Sequence, residues 1–243
     1  MFTRISSITL AVLTFVLLSS QILEGQAQNP QRLYIVSAII VILILASLII
    51  NFKRLNFTWP HLMLPIIYLL GIGSVFTILD SARVLWLFLL ASSIALYFLE
   101  AKLGRESHFL QNIYLVSVFM LYLAMFAIQF YFNLHVYYVI AVSFILTYLL
   151  AVQGFAGFSL PSKKYFYLLL AVICAEVVWG LSFWPTHYFS NAVVLFCFFY
   201  LLWLFSFSAF FGKLTRQKVY LQLMLVAIVL VLTLSTTAWR PIK

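Results

Sequence analysis

Long apolar runs alternate with short polar breaks along almost the whole chain. Nine runs approach the length a helix needs to cross a bilayer core, about 20 mostly apolar residues for about 30 Å. They fall at Ile5–Leu23, Leu33–Phe52, Thr58–Leu79, Val84–Leu99, Phe109–Tyr131, Val136–Gln153, Tyr165–Trp184, Asn191–Phe211 and Val219–Ala238. The fourth and sixth are short, and would cross only with little tilt or with local thinning of the bilayer. The longest polar stretches, Glu24–Arg32, Glu100–His108 and Phe155–Lys164, run to about ten residues each. The pattern therefore predicts an all-α, polytopic transmembrane bundle of about nine spans. It forms a single domain over residues 1–243, with no soluble module. Any chemistry has to lie within the bundle or at its rims.

The first run has a second reading. Arg4 ahead of an apolar stretch, followed by Gln26-Ala27-Gln28, resembles a secretory signal. The small-x-small cleavage pattern is not cleanly present, since Gly25 and Ala27 flank Gln26 without a second alanine. Retention is the expectation; cleavage would leave eight spans with every later orientation unchanged.

Composition narrows the class. Of the residues 66% are hydrophobic and 8% charged, with a mean hydropathy of +1.15. Average soluble domains are about 45–50% apolar and about 25% charged, so a water-soluble fold would lack the polar residues to cover itself. Soluble, disordered, collagenous and disulfide-scaffold classes are excluded. The net charge of +9 would suggest nucleic acid on a soluble patch, but the basic residues sit in short breaks between apolar runs, and no nucleic-acid partner is expected. Cys174 and Cys197 fall inside apolar segments without ligand spacing and read as small buried hydrophobes.

The basic residues set a direction instead. Arg4, Lys53, Arg54, Lys102, Arg105, Lys163, Lys164, Lys213, Arg216 and Lys218 fall on one side of the alternating spans. Arg32, Arg83, Arg240 and Lys243 fall on the other. The positive-inside bias then places the N-terminus in the cytoplasm and the C-terminus outside. Trp59, Trp86, Trp184 and Trp239 lie at predicted span ends, where amphipathic rings favour the headgroup level, whereas Trp179 and Trp203 lie within spans. The 25 Phe residues read as lipid-facing and inter-helix filler.

Few polar residues enter the spans. Glu176 is the one acidic residue well inside a predicted span. It lies eight residues before Trp184, about 12 Å below the outer end at 1.5 Å per residue. An ionised carboxylate near the bilayer centre costs roughly 3 kcal/mol on insertion scales. Glu176 is therefore expected to face other helices or a wet cavity, with Trp179 and Gly180 on the same face at i+3 and i+4. Its functional reading is a site for a proton, a cation or a polar ligand; its structural reading is a hydrogen bond between helices. The topology gathers Gln129, His135, Ser182, Thr186, His187, Asn191, Ser235, Thr236, Thr237 and Arg240 toward the outer side. His187, Asn191, Trp179 and Arg240 join Glu176 as candidate ligand-binding residues, although His187 in Trp184-Pro185-Thr186-His187-Tyr188 also suits a turn, and Arg240 suits snorkelling.

Other chemistry finds little support. His61 and His108 fall toward one side and His135 and His187 toward the other, a poor arrangement for bis-imidazole haem. No zinc motif occurs, so neither metal nor cofactor is expected. Gly71-Ile72-Gly73-Ser74 reads as a close approach of two helices. Pro65 should kink the third span, and broken helices line some transporter sites. A weak echo relates His61–Tyr131 to Tyr165–Ala238, whose basic inner loops read Lys102-Leu103-Gly104-Arg105 and Gly212-Lys213-Leu214-Thr215-Arg216. Any two three-span units that start on the same side share that parity.

The run Glu176-Val-Val-Trp-Gly-Leu-Ser-Phe-Trp-Pro185, then Tyr200-Leu-Leu-Trp203 and Thr236-Thr-Ala-Trp239-Arg, resembles an uncharacterised family of small multi-pass bacterial membrane proteins often found in genome-reduced lineages. The resemblance covers the C-terminal third. It implies a bacterial cytoplasmic-membrane location and carries no activity. Three functions stay open. The favoured one is a transporter or permease component for a small solute or lipid-like substrate, with Glu176 as a buried protonatable group. The next is a non-catalytic envelope or assembly component with a membrane-protein partner. The last is a lipid-modifying enzyme using Glu176 or His187 as acid or base.

Overall fold

A computed structural model describes residues 2–23, 30–54, 59–79, 81–103, 108–156, 163–210 and 214–237. Every regular element among them is helical: α1 (Phe2–Leu23), α2 (Pro30–Arg54), α3 (Trp59–Ile78), α4 (Ala82–Lys102), α5 (His108–Phe132), α6 (Val136–Gly154), α7 (Lys163–Leu181), α8 (Tyr188–Phe210) and α9 (Arg216–Thr236). Eight are long and apolar enough to cross a membrane. Helices α4 and α6, at 21 and 19 residues, are among them, although the apolar runs suggest short fourth and sixth spans. In α4 the helix continues past the apolar run through Glu100 to Lys102, because polar side chains at a helix end still permit the backbone ladder. The Lys102 ammonium settles 4.8 Å from the centre of the Phe109 ring, a cation–π arrangement. Pro65 lies inside α3, which remains helical from Trp59 to Ile78.

The chain divides into two compact units, with the boundary between Leu121 and Tyr122 inside α5. In the first unit, α1 packs along α4 and α2, and α3 packs along α2 and α4, so four helices close a ring. Glycines set the closest approaches. A Cβ on Gly73 would lie 2.6 Å from Ile40 Cγ1, and one on Gly71 would lie 3.0 Å from Met120 Cβ. Polar bonds tie the apolar packing in register. The Tyr68 hydroxyl donates to the Ser92 carbonyl across α3 and α4 at 3.1 Å.

In the second unit α6 packs along α7, α7 along α8, and α8 along α9. The Tyr122 hydroxyl meets Thr147 Oγ1 at 2.9 Å, while its ring stands edge-on to Phe199. Helix α9 lies at the margin: Val226 is its buried residue, and Tyr200 on α8 donates to Gln222 Oε1 at 2.9 Å. Exposed side chains such as Leu87, Ile42, Leu169 and Val231 cover the outer faces of both units. Such apolar surface fits a lipid surrounding rather than water.

Candidate functional site

Two chain reversals and the end of α9 build a cavity at one end of the second unit. Helix α5 stops where Asn133 takes φ of 48°, a left-handed conformation that Asn tolerates better than most residues. The Leu134 amide then bonds back to the Gln129 carbonyl at 3.3 Å. Helix α7 ends at Leu181, four residues before Pro185. The Trp184 amide closes a turn onto the Leu181 carbonyl, and Pro185, lacking an N–H, does not extend the helix. Helix α8 restarts at Tyr188. There the His187 carbonyl receives the Ser190 and Asn191 amides, and His187 Nδ1 receives the Phe189 amide at 3.4 Å. Helix α9 ends with hydroxyls turned onto its own carbonyls: Thr237 donates to Thr233 O at 2.6 Å.

These ends enclose a cavity of about 1060 Å³, at the upper limit of the roughly 300–1,000 Å³ usual for ligand pockets. Its polar lining comprises Gln129, Asn133, Ser182, Thr186, His187, Ser190, Asn191, Thr233, Thr236 and Thr237. Phe126, Phe130, Trp184, Tyr188 and Phe189 supply aromatic walls. Two side-chain bonds fix the frame. Thr186 Oγ1 donates to Asn191 Oδ1 at 2.5 Å. Ser190 and Thr237 hydroxyls meet at 2.6 Å, joining α8 to α9. Rings of Phe130, His187 and Tyr188 pack mutually, with His187 and Tyr188 centroids 4.0 Å apart.

The candidate residues read from sequence separate here. His187 and Asn191 line the cavity, His187 as a capping turn residue and Asn191 as a half-buried anchor of the wall. Glu176 and Trp179 do not. Both lie on the exposed face of α7 with Leu169 and Val172, while Cys174, Ala175 and Val178 form the buried face. The expectation that Glu176 faces other helices of its own chain, or a cavity within it, is thus corrected. The helical period turns position 176 away from the stripe that packs inward. A Cβ added at Gly180 would meet nothing within 4 Å. Arg240 lies outside the described residues. His135 and Ser235 are exposed and stay off the cavity lining.

A buried carboxylate sits elsewhere. Glu100, placed by sequence in a polar break, is 1% exposed in the last turn of α4. Ser47 Oγ donates to its Oε1 at 2.7 Å, and Asn51 Nδ2 lies 3.1 and 2.9 Å from Oε1 and Oε2. Ser47 and Asn51 are one turn apart on α2, so a single helix face holds both carboxylate oxygens. Leu85, Leu89, Ser92, Leu96 and Leu99 with Glu100 follow one buried stripe of α4, which apolar residues on the other faces of the helix hide in the sequence.

A second, smaller cleft of about 330 Å³ lies between α1 and α4, lined by Ile8, Ala11, Val12, Phe15, Leu90, Ser93, Ile94 and Tyr97. Its surface is apolar and offers little to orient a polar ligand. No group of three or more His, Cys, Asp or Glu side chains suited to a metal occurs among the described residues.

The fold and the cavity together define a class: an all-helical protein whose apolar helices fit a multi-pass membrane protein, with a polar chamber at one end of a helical unit. Residues 50–236 match the family described as "Protein of unknown function (DUF5656)", and the chain belongs to that family. The match extends well beyond the C-terminal third and takes in every cavity-lining residue except Thr237. No curated protein and no solved structure matches the chain.

Proposed function

We propose that this chain is a transport component of the bacterial cytoplasmic membrane, carrying a small polar or lipid-like substrate through the cavity of its second unit. All nine helices cross the bilayer in this reading, with the N-terminus in the cytoplasm. The cavity then opens on the outer side. The observation that carries the proposal is the chamber of about 1060 Å³ with ten polar lining residues at the end of otherwise apolar helices. Polar groups at a span end are costly to leave facing hydrocarbon, so a wet chamber of this size supports passage or binding of something polar. Asn191 and the wall around it take the place of Glu176 as the centre of the substrate site.

The test is flux. The full chain, reconstituted into vesicles containing a fluorescent lipid, should speed the exchange of that lipid between leaflets, read by quenching with dithionite added outside. Asn191→Trp, which fills the chamber, should return the rate to that of empty vesicles. Equal rates for the wild type, the filled variant and protein-free vesicles would sink the transport reading.

One observation favours an assembly role as a second reading. Glu176 lies mid-helix in an exposed apolar stripe, where a partner helix carrying a polar or basic group would relieve the cost of its carboxyl.

A further inference from the structure

Resting on the reading of the second-unit cavity as a substrate site, we propose that its ligand is a neutral, polyhydroxylated head group of the sugar type, carried on an apolar tail. The argument begins with what the lining offers. Gln129, Asn133 and Asn191 contribute three carboxamides and Thr233 a hydroxyl. The Asn191 Oδ1 is engaged by Thr186, which leaves its NH2 directed to other acceptors. Carboxamides and hydroxyls both donate and accept. Ammonium and guanidinium groups only donate, and ionised carboxylates only accept. A sugar hydroxyl is itself donor and acceptor at once, so a wall of two-way groups satisfies it in either sense. Such a wall can also donate to a phosphate or accept from an ammonium, but it brings neither ion a counter-charge.

Charge points the same way. Among the described lining residues no Lys, Arg, Asp or Glu occurs, and the one histidine, His187, uses its Nδ1 to accept from the Phe189 amide. A charged head group drawn from water into the chamber would go without an opposite charge, and burying an unpaired ion is costly. Aromatic placement supplies the third element. Phe130 and Tyr188 line the chamber and pack together with ring centroids 5.4 Å apart; aromatic rings carry faces of negative potential, against which the C–H face of a sugar ring would pack. Trp184 and Phe189, 39% and 48% exposed, flank the chamber at the helix ends, where an attached hydrocarbon tail would run into the bilayer.

The decisive experiment compares three amphiphiles that share one tail. The full chain in polymer-bounded lipid discs is titrated with radiolabelled octyl glucoside, octyl phosphate and octyltrimethylammonium, each below its micelle concentration, and saturable binding is separated from linear partitioning. The expected result is one glucoside per chain, bound at least about tenfold more tightly than either charged probe. Gln129→Leu and Asn191→Leu should each weaken it by about three- to tenfold, the loss of one or two neutral hydrogen bonds. Should the leucine variants not fold, the order of the three probes on the unmodified chain still decides. Octyl phosphate or the ammonium binding saturably as tightly as the glucoside overturns the head-group class and leaves the cavity standing as a site. Saturable binding by none of the three overturns both.

Discussion

A carboxyl group inside an apolar bundle is tolerated only where polar groups reach it, and Glu100 and Glu176 meet that demand in different ways. Glu100 finds its donors within the chain, in Ser47 and Asn51. Removing the acceptor takes the partner of the buried Ser47 hydroxyl and leaves Asn51 Nδ2 with Ser47 Oγ alone, at 3.1 Å. Glu100→Ala should therefore lower stability by about 2 kcal/mol, and Glu100→Gln, which keeps one acceptor oxygen, by about 1 kcal/mol or less. Thermal unfolding of the purified protein in detergent measures both, and equal effects of the two substitutions would show that the hydrogen bonds are not what stabilises this corner. Glu176 finds no such shell on the exposed face of α7. Under the transport reading Glu176→Leu leaves lipid exchange unchanged, within about twofold. Under the assembly reading it detaches a partner and leaves the isolated chain as stable as before. From sequence alone Glu176 stood out because its neighbours are apolar, and Glu100 did not, because Lys102 and Arg105 follow it closely. Depth along a run was legible; the direction a side chain faces was not, since the apolar residues surround these helices on all sides and leave the inner face unmarked.

At the scale of the helix, packing distance is set by what a Cβ would meet. On α3 Gly73 abuts the β-branched Ile40, whose Cγ1 is close to the backbone and rotates little. Gly73→Ala should cost about 1–3 kcal/mol through overpacking, despite the roughly 1 kcal/mol by which alanine favours a helix over glycine. Gly180→Ala on α7, with open space around it, should retain that gain and raise stability by up to about 1 kcal/mol. The pair is a control for itself: the same chemical change has opposite sign at two helical glycines. Thermal midpoints that moved the same way would contradict the α2–α3 approach. The small-residue run Gly71-Ile72-Gly73 announced a close contact in the sequence without naming the partner, because nothing local specifies Ile40. Likewise the apolar run of α4 stops at Leu99 while the helix runs on to Lys102, because hydropathy marks where apolar residues stop and not where the backbone ladder does.

At the scale of the molecule, sidedness hangs on whether every helix crosses, and α3, which carries Pro65 in its interior, is the helix on which to test it. If α3 crosses, the turn at Ser81 and the cavity turn at Ser182 lie outside, and the end of α4 at Leu103 lies inside. If α3 stays on one side, all three positions exchange. The basic residues favour crossing, since ten of fourteen then share the cytoplasmic side, whereas failure of α3 would place the later basic loops outside against the positive-inside bias. A cysteine-free chain carrying Ser81→Cys, Leu103→Cys or Ser182→Cys, one at a time, tests this in intact cells with a membrane-impermeant maleimide. Labelling at positions 81 and 182 but not at 103 is the expected pattern, and the reverse pattern would mean eight crossings with the chamber facing the cytoplasm. The difference matters for function. Under the transport reading, a chamber that opens outward would draw its ligand from the outer side or the outer leaflet, where a head group would have to be recognised without the help of cytoplasmic charge. The neutral lining of Gln129, Asn191 and Thr233 suits that demand, because it places polarity at the ends of the helices without adding charge to the apolar spans.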